Sequence, residues 1–216
     1  MKIEVKALSF AYPNAGFRLG GVSYAVESGE AVAITGRNGS GKTTLGRLLC
    51  GLLKPQSGTV FFDGENTASW SLGARGRRIG YLFQEPARQL FAPTPLEDLT
   101  FTQELAGVSP EKAEWRAMEL LTRFELEHLA GQGIHTLSRG EQQRLAICGL
   151  LLTKPEALVL DEPTTGLDAR RKLILANVMR ECIDDGVSVL LISHDKAFVR
   201  ANATRELHME DLNHAQ

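Results

Sequence analysis

Nine residues, Gly36-Arg37-Asn38-Gly39-Ser40-Gly41-Lys42-Thr43-Thr44, constrain this chain more than any other stretch. They satisfy the spacing G-x-x-x-x-G-K-[ST], in which backbone N–H groups turn inward onto phosphate oxygens. Glycine suits such a loop because it accepts unusual dihedrals and lets the backbone approach an anion closely. The flanks agree with this reading. Ala31-Val32-Ala33-Ile34 has the pattern of a buried strand, and residues 45–53 have that of an amphipathic helix beginning near Gly41. The start of that helix would add unpaired N–H donors and the positive end of its dipole. Lys42 would reach the β- and γ-phosphates, and the Thr43 hydroxyl would ligate Mg²⁺. Asn38, Gly39, Ser40, Gly41 and Thr44 complete the expected cradle.

The bulk numbers bound what surrounds this loop. A chain of 216 residues is one large domain, or a domain with an inserted lobe, and 43% hydrophobic content supplies a sizeable core. The formal charge of −2 gives no global attraction to nucleic acid, and no nucleic-acid partner is expected. Arg75, Arg77 and Arg78 read as a solvated loop. Cys50, Cys148 and Cys182 make no C-x-x-C pair, which fits a reducing compartment. The alternating start Met1-Lys2-Ile3-Glu4 carries no signal-peptide pattern, and the longest apolar run, 145–152, is far too short for a bilayer span. Any membrane role would come through a partner.

In chain order, Ile3, Val5 and Ala7 alternate with charges as a half-buried strand, and residues 14–16 read as a turn. A weaker strand over 17–26 contains Gly20-Gly21 as a bend or bulge. A strand at 59–62 runs into the turn signal Asp63-Gly64, so an antiparallel layer should lie beside the phosphate-loop strand. Residues 79–83 form another strand, ending at Gln84. Then the pattern changes. Thr94-Pro95-Leu96-Glu97 is a helix start, Ser109-Pro110 is another, and Ala113, Ala117, Leu120, Leu121 and Phe124 form an apolar helical face. No strand signal falls between Pro86 and Thr136. Residues 86–136 are therefore expected to be an inserted helical subdomain within a single domain, with 1–85 and 137–216 forming the core. After it come a helix (138–153), a strand (157–160), a helix capped by Asp168, a strand (187–192), and a last helix and short strand. The alternation implies an α/β fold with a mostly parallel core sheet and its site at the carboxyl ends of the strands.

Gln84, Asp161, Glu162 and His194 all fall at such ends. Asp161 suits Mg²⁺, and Glu162, one residue beyond, suits a general base or water-orienting group. His194 alone is a weak signal; beside a γ-phosphate it would serve as a neutral donor and acceptor. Leu137-Ser138-Arg139-Gly140-Glu141-Gln142 is a second strong pattern. Ser138 and Glu141 make a capping box, while a hydroxyl, a glycine N–H and a helix start equally suit a phosphate.

Taken together, the motifs resemble those of ATP-binding cassette (ABC) ATPases over essentially the whole chain. Residues 36–44 match the Walker A motif, Gln84 the Q-loop, and 137–142 the signature. Residues 158–162 match Walker B, Gly166-Leu167-Asp168 the D-loop, and His194 the switch histidine. Tyr12 stands where the family stacks an aromatic on adenine. The signature departs from Leu-Ser-Gly-Gly-Gln at Arg139 and Glu141, both tolerant positions. The resemblance implies a P-loop NTPase fold of ABC type, with ATP and Mg²⁺ as cofactors. Catalysis would rest on Glu162, His194, Gln84 and Lys42, and the metal would be held through Thr43, Gln84 and Asp161. It also implies a head-to-tail dimer in which Ser138, Gly140, Glu141 and Asp168 complete the partner's ATP site.

The run Gln84-Glu85-Pro86-Ala87-Arg88-Gln89-Leu90-Phe91, with Thr94, Asp98 and Phe101 after it, is similar to energy-coupling factor (ECF) ATPases, which power uptake of vitamins and transition metals. Glu85 and Thr102 depart from that pattern. The resemblance implies a second ATPase subunit, an integral-membrane subunit docking near residues 84–101 through anchors such as Leu90, Phe91 and Leu96, and a separate substrate-binding membrane subunit. It would place the chain on the cytoplasmic face of the membrane. Another ABC importer or exporter, or a soluble ABC protein of repair, translation or cofactor assembly, remains open. A single cassette without a coiled-coil insertion favours transport.

Overall fold

The computed structural model describes residues 1–13 and 16–214, so the turn expected at 14–16 lies largely outside the described residues. The chain opens with β1 (Ile3–Ala11) and β2 (Arg18–Val26), paired antiparallel. β3 (Ala31–Thr35) leads through the glycine-rich loop into α1 (Lys42–Leu49). β4 (Ser57–Phe62) and β5 (Glu65–Asn66) form a hairpin. Its two turn residues, Asp63 and Gly64, have φ of 49° and 80°, the primed-turn geometry that matches strand twist. These four strands make one sheet in the order β2-β1-β4-β5.

A short α2 (Leu72–Gly76) precedes β6 (Ile79–Leu82). α3 (Pro95–Leu105) and α4 (Pro110–Arg123) follow, then α5 (Arg139–Leu152). β7 (Ala157–Asp161), α6 (Ala169–Asp184), β8 (Ser188–Ile192), α7 (Lys196–Asn202), β9 (Arg205–His208) and α8 (Met209–Leu212) complete the chain. The second sheet has the order β6-β7-β8-β3-β9, and every pairing in it is parallel. The α/β architecture expected from the sequence, a parallel core sheet beside an antiparallel layer with a helical insertion, is the one observed. Among the described residues, no strand lies between β6 and β7, and no helix is long and apolar enough to cross a membrane.

Strand periodicity sorts the core into two layers. Ala31, Ala33, Leu158, Leu160, Val189 and Leu191 face a cluster that includes Leu99, Leu121 and Phe124 of the helical segment. Val32, Ile34, Val159, Leu190 and Ile192 face the other way, against α1 and the antiparallel sheet. Because both faces are covered, β7 and β8 are buried at every position, which is why they read as continuous apolar runs. Complete burial of each of Leu99, Leu121 and Phe124 contributes about 1.5–3 kcal/mol, so apolar contact holds the helical segment to the sheet.

Three expectations are corrected. Strict alternation stops at Ala7, which is exposed with φ of 50°; the register shifts there, and Leu8, not Ala7, enters the core. Gly58 permits this bulge, since a Cβ there would lie 2.3 Å from the Ala7 carbonyl oxygen. The first helix ends at Leu49 rather than near 53, as Gly51 takes φ of 75°. Finally, Arg75 is not solvated. Its guanidinium is buried and donates to the Leu49 and Thr67 carbonyls at 3.1 and 2.7 Å. Arg78 pairs with Asp63 and Glu156.

Candidate nucleotide site

The parallel sheet places its loops on one edge, where β3, β6, β7 and β8 end. There a cavity of about 670 Å³ is lined by Lys42, Thr43 and Thr44 of the glycine-rich loop, Gln84 after β6, Asp161 and Glu162 after β7, and His194 after β8. Residues up to 182 positions apart in the chain (12 to 194) thus share one site. The loop itself takes the shape its glycines allow, with φ of 140° at Gly36, 80° at Gly39 and 104° at Gly41. A Cβ at Gly41 would lie 2.5 Å from the Phe17 ring.

Lys42 is buried, and its ammonium donates to the Gly36 and Arg37 carbonyls, each at 2.9 Å. Burial lowers its pKa, while Glu162, Glu210 and Asp161 pull it back up. Tyr12 lines the same cavity, with its hydroxyl 3.3 Å from Thr44 Oγ1.

Asp161 sits at the end of β7, 1% exposed, and accepts a hydrogen bond from the Tyr81 hydroxyl at 3.3 Å. Burial raises its pKa, against the Thr43 and Tyr81 hydroxyls, which lower it. Glu162 follows with φ of 54°, a conformation a non-glycine residue adopts at a cost of about 1–3 kcal/mol. Its Oε2 accepts from the His194 backbone N–H at 3.3 Å, and its Oε1 lies 3.6 Å from His194 Nε2. Burial raises this pKa too, with the His194 N–H and ring opposing. Asp161 Oδ1 and Glu162 Oε1 are buried and meet no protein donor. Two donor-free carboxylate oxygens beside the Thr43 hydroxyl fit a hard, oxygen-seeking cation such as Mg²⁺.

Other expected residues stand outside this cavity. Ser138 caps α5: its Oγ accepts from the Glu141 N–H at 3.4 Å and donates to Glu141 Oε2 at 2.8 Å, while its own N–H donates to that oxygen at 2.7 Å. The bond from Ser138 lowers the Glu141 pKa. Gly140 lies against the loop before α6; a Cβ there would be 2.5 Å from the Gly166 carbonyl oxygen. Asp168 caps α6 by accepting from the Arg171 N–H, which holds its pKa down. Ser40 faces a neighbouring cavity with Phe17, Met209 and Glu210, its hydroxyl buried and unpartnered.

The structure also adds lining residues that sequence reasoning did not single out. Phe17 and Thr165 border the cavity, and Arg139 extends into it, donating to the Gln84 carbonyl at 3.4 Å. Gln143, fully buried, donates to the Glu162 carbonyl at 3.3 Å and ties α5 to the end of β7. Arg139 and Gln143 flank the Gly140-Glu141 pattern and were legible only as its continuation.

A phosphate loop opening a helix, with acids at the neighbouring strand ends of a parallel sheet, defines a P-loop nucleotide-binding protein. Residues 19–165 match the model of the ABC transporter family. The chain is 39% identical over 205 residues to the energy-coupling factor transporter ATP-binding protein EcfA of Methanothermobacter thermautotrophicus, covering 94% of this chain and 66% of that protein, just under two thirds of its length. It superposes with a TM-score of 0.81 and 31% identity on cbiO1 of Clostridium perfringens, part of the ABC transporter complex cbiONQ, covering 95% of this chain and 83% of that one. A dimeric ATP-binding cassette in a post-hydrolysis state, bound to ADP and Pi, matches with a TM-score of 0.83 and 28% identity over 95% and 93% of the two chains. The chain belongs to the ABC transporter family, as an ATP-binding ATPase subunit with relatives of the energy-coupling factor type.

Proposed function

We propose that this subunit closes head to tail with a second ATPase subunit around two ATP molecules and so energises an ECF-type importer of a vitamin or a transition-metal ion, on the cytoplasmic face of the membrane. The observation that carries this reading is the single cavity shared by Lys42, Thr43, Gln84, Asp161, Glu162 and His194. Lys42 exchanges its two carbonyl partners for the β- and γ-phosphates, a charge-assisted replacement in a partly dry site. Thr43, Asp161 and Gln84 would hold Mg²⁺, which would supply charge neutralisation at the phosphates. Glu162 orients the attacking water and takes its proton; His194, held against Glu162, donates to the γ-phosphate side. Tyr12 stacks on adenine beside the loop formed by Asn38, Gly39 and Gly41.

Ser138, Gly140, Glu141 and Asp168 lie off this cavity, which is the placement expected of residues serving the partner's nucleotide. The segment 86–136 then acts as a helical subdomain that meets the membrane subunit. Phe91 and Phe101 support that role. They are 59% and 48% exposed and stack edge to face at 5.2 Å; Phe101 is on α3, and the loop that carries Phe91 is fixed by the buried Asp98, which accepts from the Phe91 and Ala92 N–H groups. A helix of the membrane subunit seated there would bury both rings, and Gln84 would carry its position to the metal. A separate substrate-binding membrane subunit belongs to the same reading, supported by the likeness to an energy-coupling factor transporter protein.

The test is the Glu162→Gln variant in MgATP, measured by size-exclusion chromatography with light scattering. The reading expects a dimer retaining about one ATP per chain. A monomer with normal turnover would overturn it.

A further inference from the structure

β9 pairs parallel with β3 in the register Thr35↔His208. Two residues beyond each partner stand Arg37, in the glycine-rich loop, and Glu210, in the turn α8. The register therefore delivers a carboxylate to the back of the loop. Glu210 Oε1 accepts a hydrogen bond from the Arg37 N–H at 2.8 Å. Its other oxygen fills the space a side chain would need at Gly36, where a Cβ would lie 2.8 Å from Glu210 Oε2 and 3.1 Å from Met209 Cβ. Met209 is fully buried and anchors the turn. On the opposite side, Lys42 grips the carbonyls of the same two residues, Gly36 and Arg37. The peptide joining them is thus held on both sides.

The same C-terminal segment reaches the antiparallel sheet. Asn213 Oδ1 accepts from the Gly20 N–H at 2.8 Å, Asn213 Nδ2 donates to the Arg18 carbonyl at 3.1 Å, and the His214 N–H donates to the Gly20 carbonyl at 2.9 Å. Arg18 follows Phe17, which lines the nucleotide cavity. Residues 209–214 therefore bridge the phosphate loop and the strand that borders the nucleotide. Glu210 itself does not line that cavity, so it acts through the loop and not on the nucleotide.

We infer that Glu210 is a positioning residue for nucleotide binding: by holding the Arg37 N–H from behind, it presets the loop so that the remaining N–H groups face the phosphates. When Lys42 releases the Gly36 and Arg37 carbonyls to engage phosphate, the Glu210 bond is what keeps that peptide in place. This rests on the nucleotide reading of the site. The device is a hydrogen bond of fixed reach, so the acceptor's position decides whether the peptide is held, and the carboxylate's charge strengthens the bond.

The experiment compares Glu210→Ala, Glu210→Gln and Glu210→Asp by two readouts. One is amide hydrogen exchange at Arg37 in the ligand-free protein, and the other is KM and kcat for MgATP. Gln keeps both reach and acceptor; Asp keeps the charge but withdraws the acceptor by one methylene. The expected result is at least tenfold faster Arg37 exchange in the Ala and Asp variants, with KM raised about tenfold and kcat within about twofold, and a Gln variant closer to wild type than either on both readouts. Unchanged Arg37 exchange in the Asp variant, or an Asp variant like wild type beside a defective Gln variant, overturns the inference. If the Ala variant does not fold, the Gln and Asp pair decides alone. If Arg37 exchange follows the expected order while the wild type binds no MgATP, the loop positioning stands and the nucleotide reading falls.

Discussion

Replacing Glu162 by Gln removes the titratable group, and with it the negative charge at neutral pH, with little change of shape. The amide keeps the length of the side chain, and its oxygen can still accept from the His194 N–H, now at 3.3 Å. If Glu162 is the base that takes a proton from water, kcat should fall by about 10²–10⁴, or roughly 3–5 kcal/mol at about 1.4 kcal/mol per decade. KM should change little, because Lys42 and Thr43 carry the phosphate contacts. Stability should move the other way. Burial raises the Glu162 pKa above its unfolded value, so folding favours the protonated form. The favourable contribution of that form is fully present below the unfolded pKa and is lost as pH rises through the folded one. At neutral pH the ionised carboxylate therefore costs stability, and the Gln variant should melt above the wild type. That advantage should vanish as pH falls below the ordinary glutamate range. Wild-type kcat should also decline on the acid side at a higher pH than an unperturbed carboxylate would give. The assays are steady-state phosphate release and thermal melting across pH. A variant retaining more than a tenth of wild-type kcat would remove Glu162 from the role of base. A variant that melts lower at neutral pH would refute the electrostatic argument.

Three further outcomes are expected. Phe91→Asp should abolish co-purification with the membrane subunit while leaving ATP binding intact, measured by affinity capture beside nucleotide titration; unchanged assembly would place the docking groove elsewhere. Arg75→Met keeps bulk but strands the Leu49 and Thr67 carbonyls, at a cost of about 3 kcal/mol, which for a chain this size lowers Tm by about 6–12 °C; a shift under 2 °C would mean the guanidinium is dispensable. Gly140→Ala puts a Cβ 2.5 Å from the Gly166 carbonyl oxygen, a backbone atom that cannot rotate away, so it should suppress ATP-dependent pairing with ATP affinity of the single chain within about threefold; a normal dimer by light scattering would count against the role given to that helix start.

The sequence disclosed the ends of strands better than their interiors. Gln84, Asp161, Glu162 and His194 were legible because each follows an apolar run, and a parallel sheet gathers such ends on one edge. The caps Thr94, Ser138 and Asp168 were legible because each places a small polar side chain just before a helix, where it accepts from the backbone. What was not legible depended on tertiary register. Ala7 looks like part of an alternation until the bulge hands its place to Leu8. Arg75 looks solvated among its arginine neighbours, and only the carbonyls left free near Leu49 and Thr67 show why it is buried. Arg139 and Phe17 border the cavity through folding alone. Glu210 is an ordinary acidic residue in the sequence; the pairing of β9 with β3 gives it a partner 173 residues away.

The central claim, that this ATPase energises a membrane importer, is tested most directly by recovering the tagged chain from detergent-solubilised host membranes and identifying what is bound. The account predicts a large membrane scaffold together with a small, separate membrane protein that binds the cargo and reveals its identity. Two permease subunits with an external binding protein would contradict the ECF assignment. Recovery with no membrane protein at all would contradict the transport role.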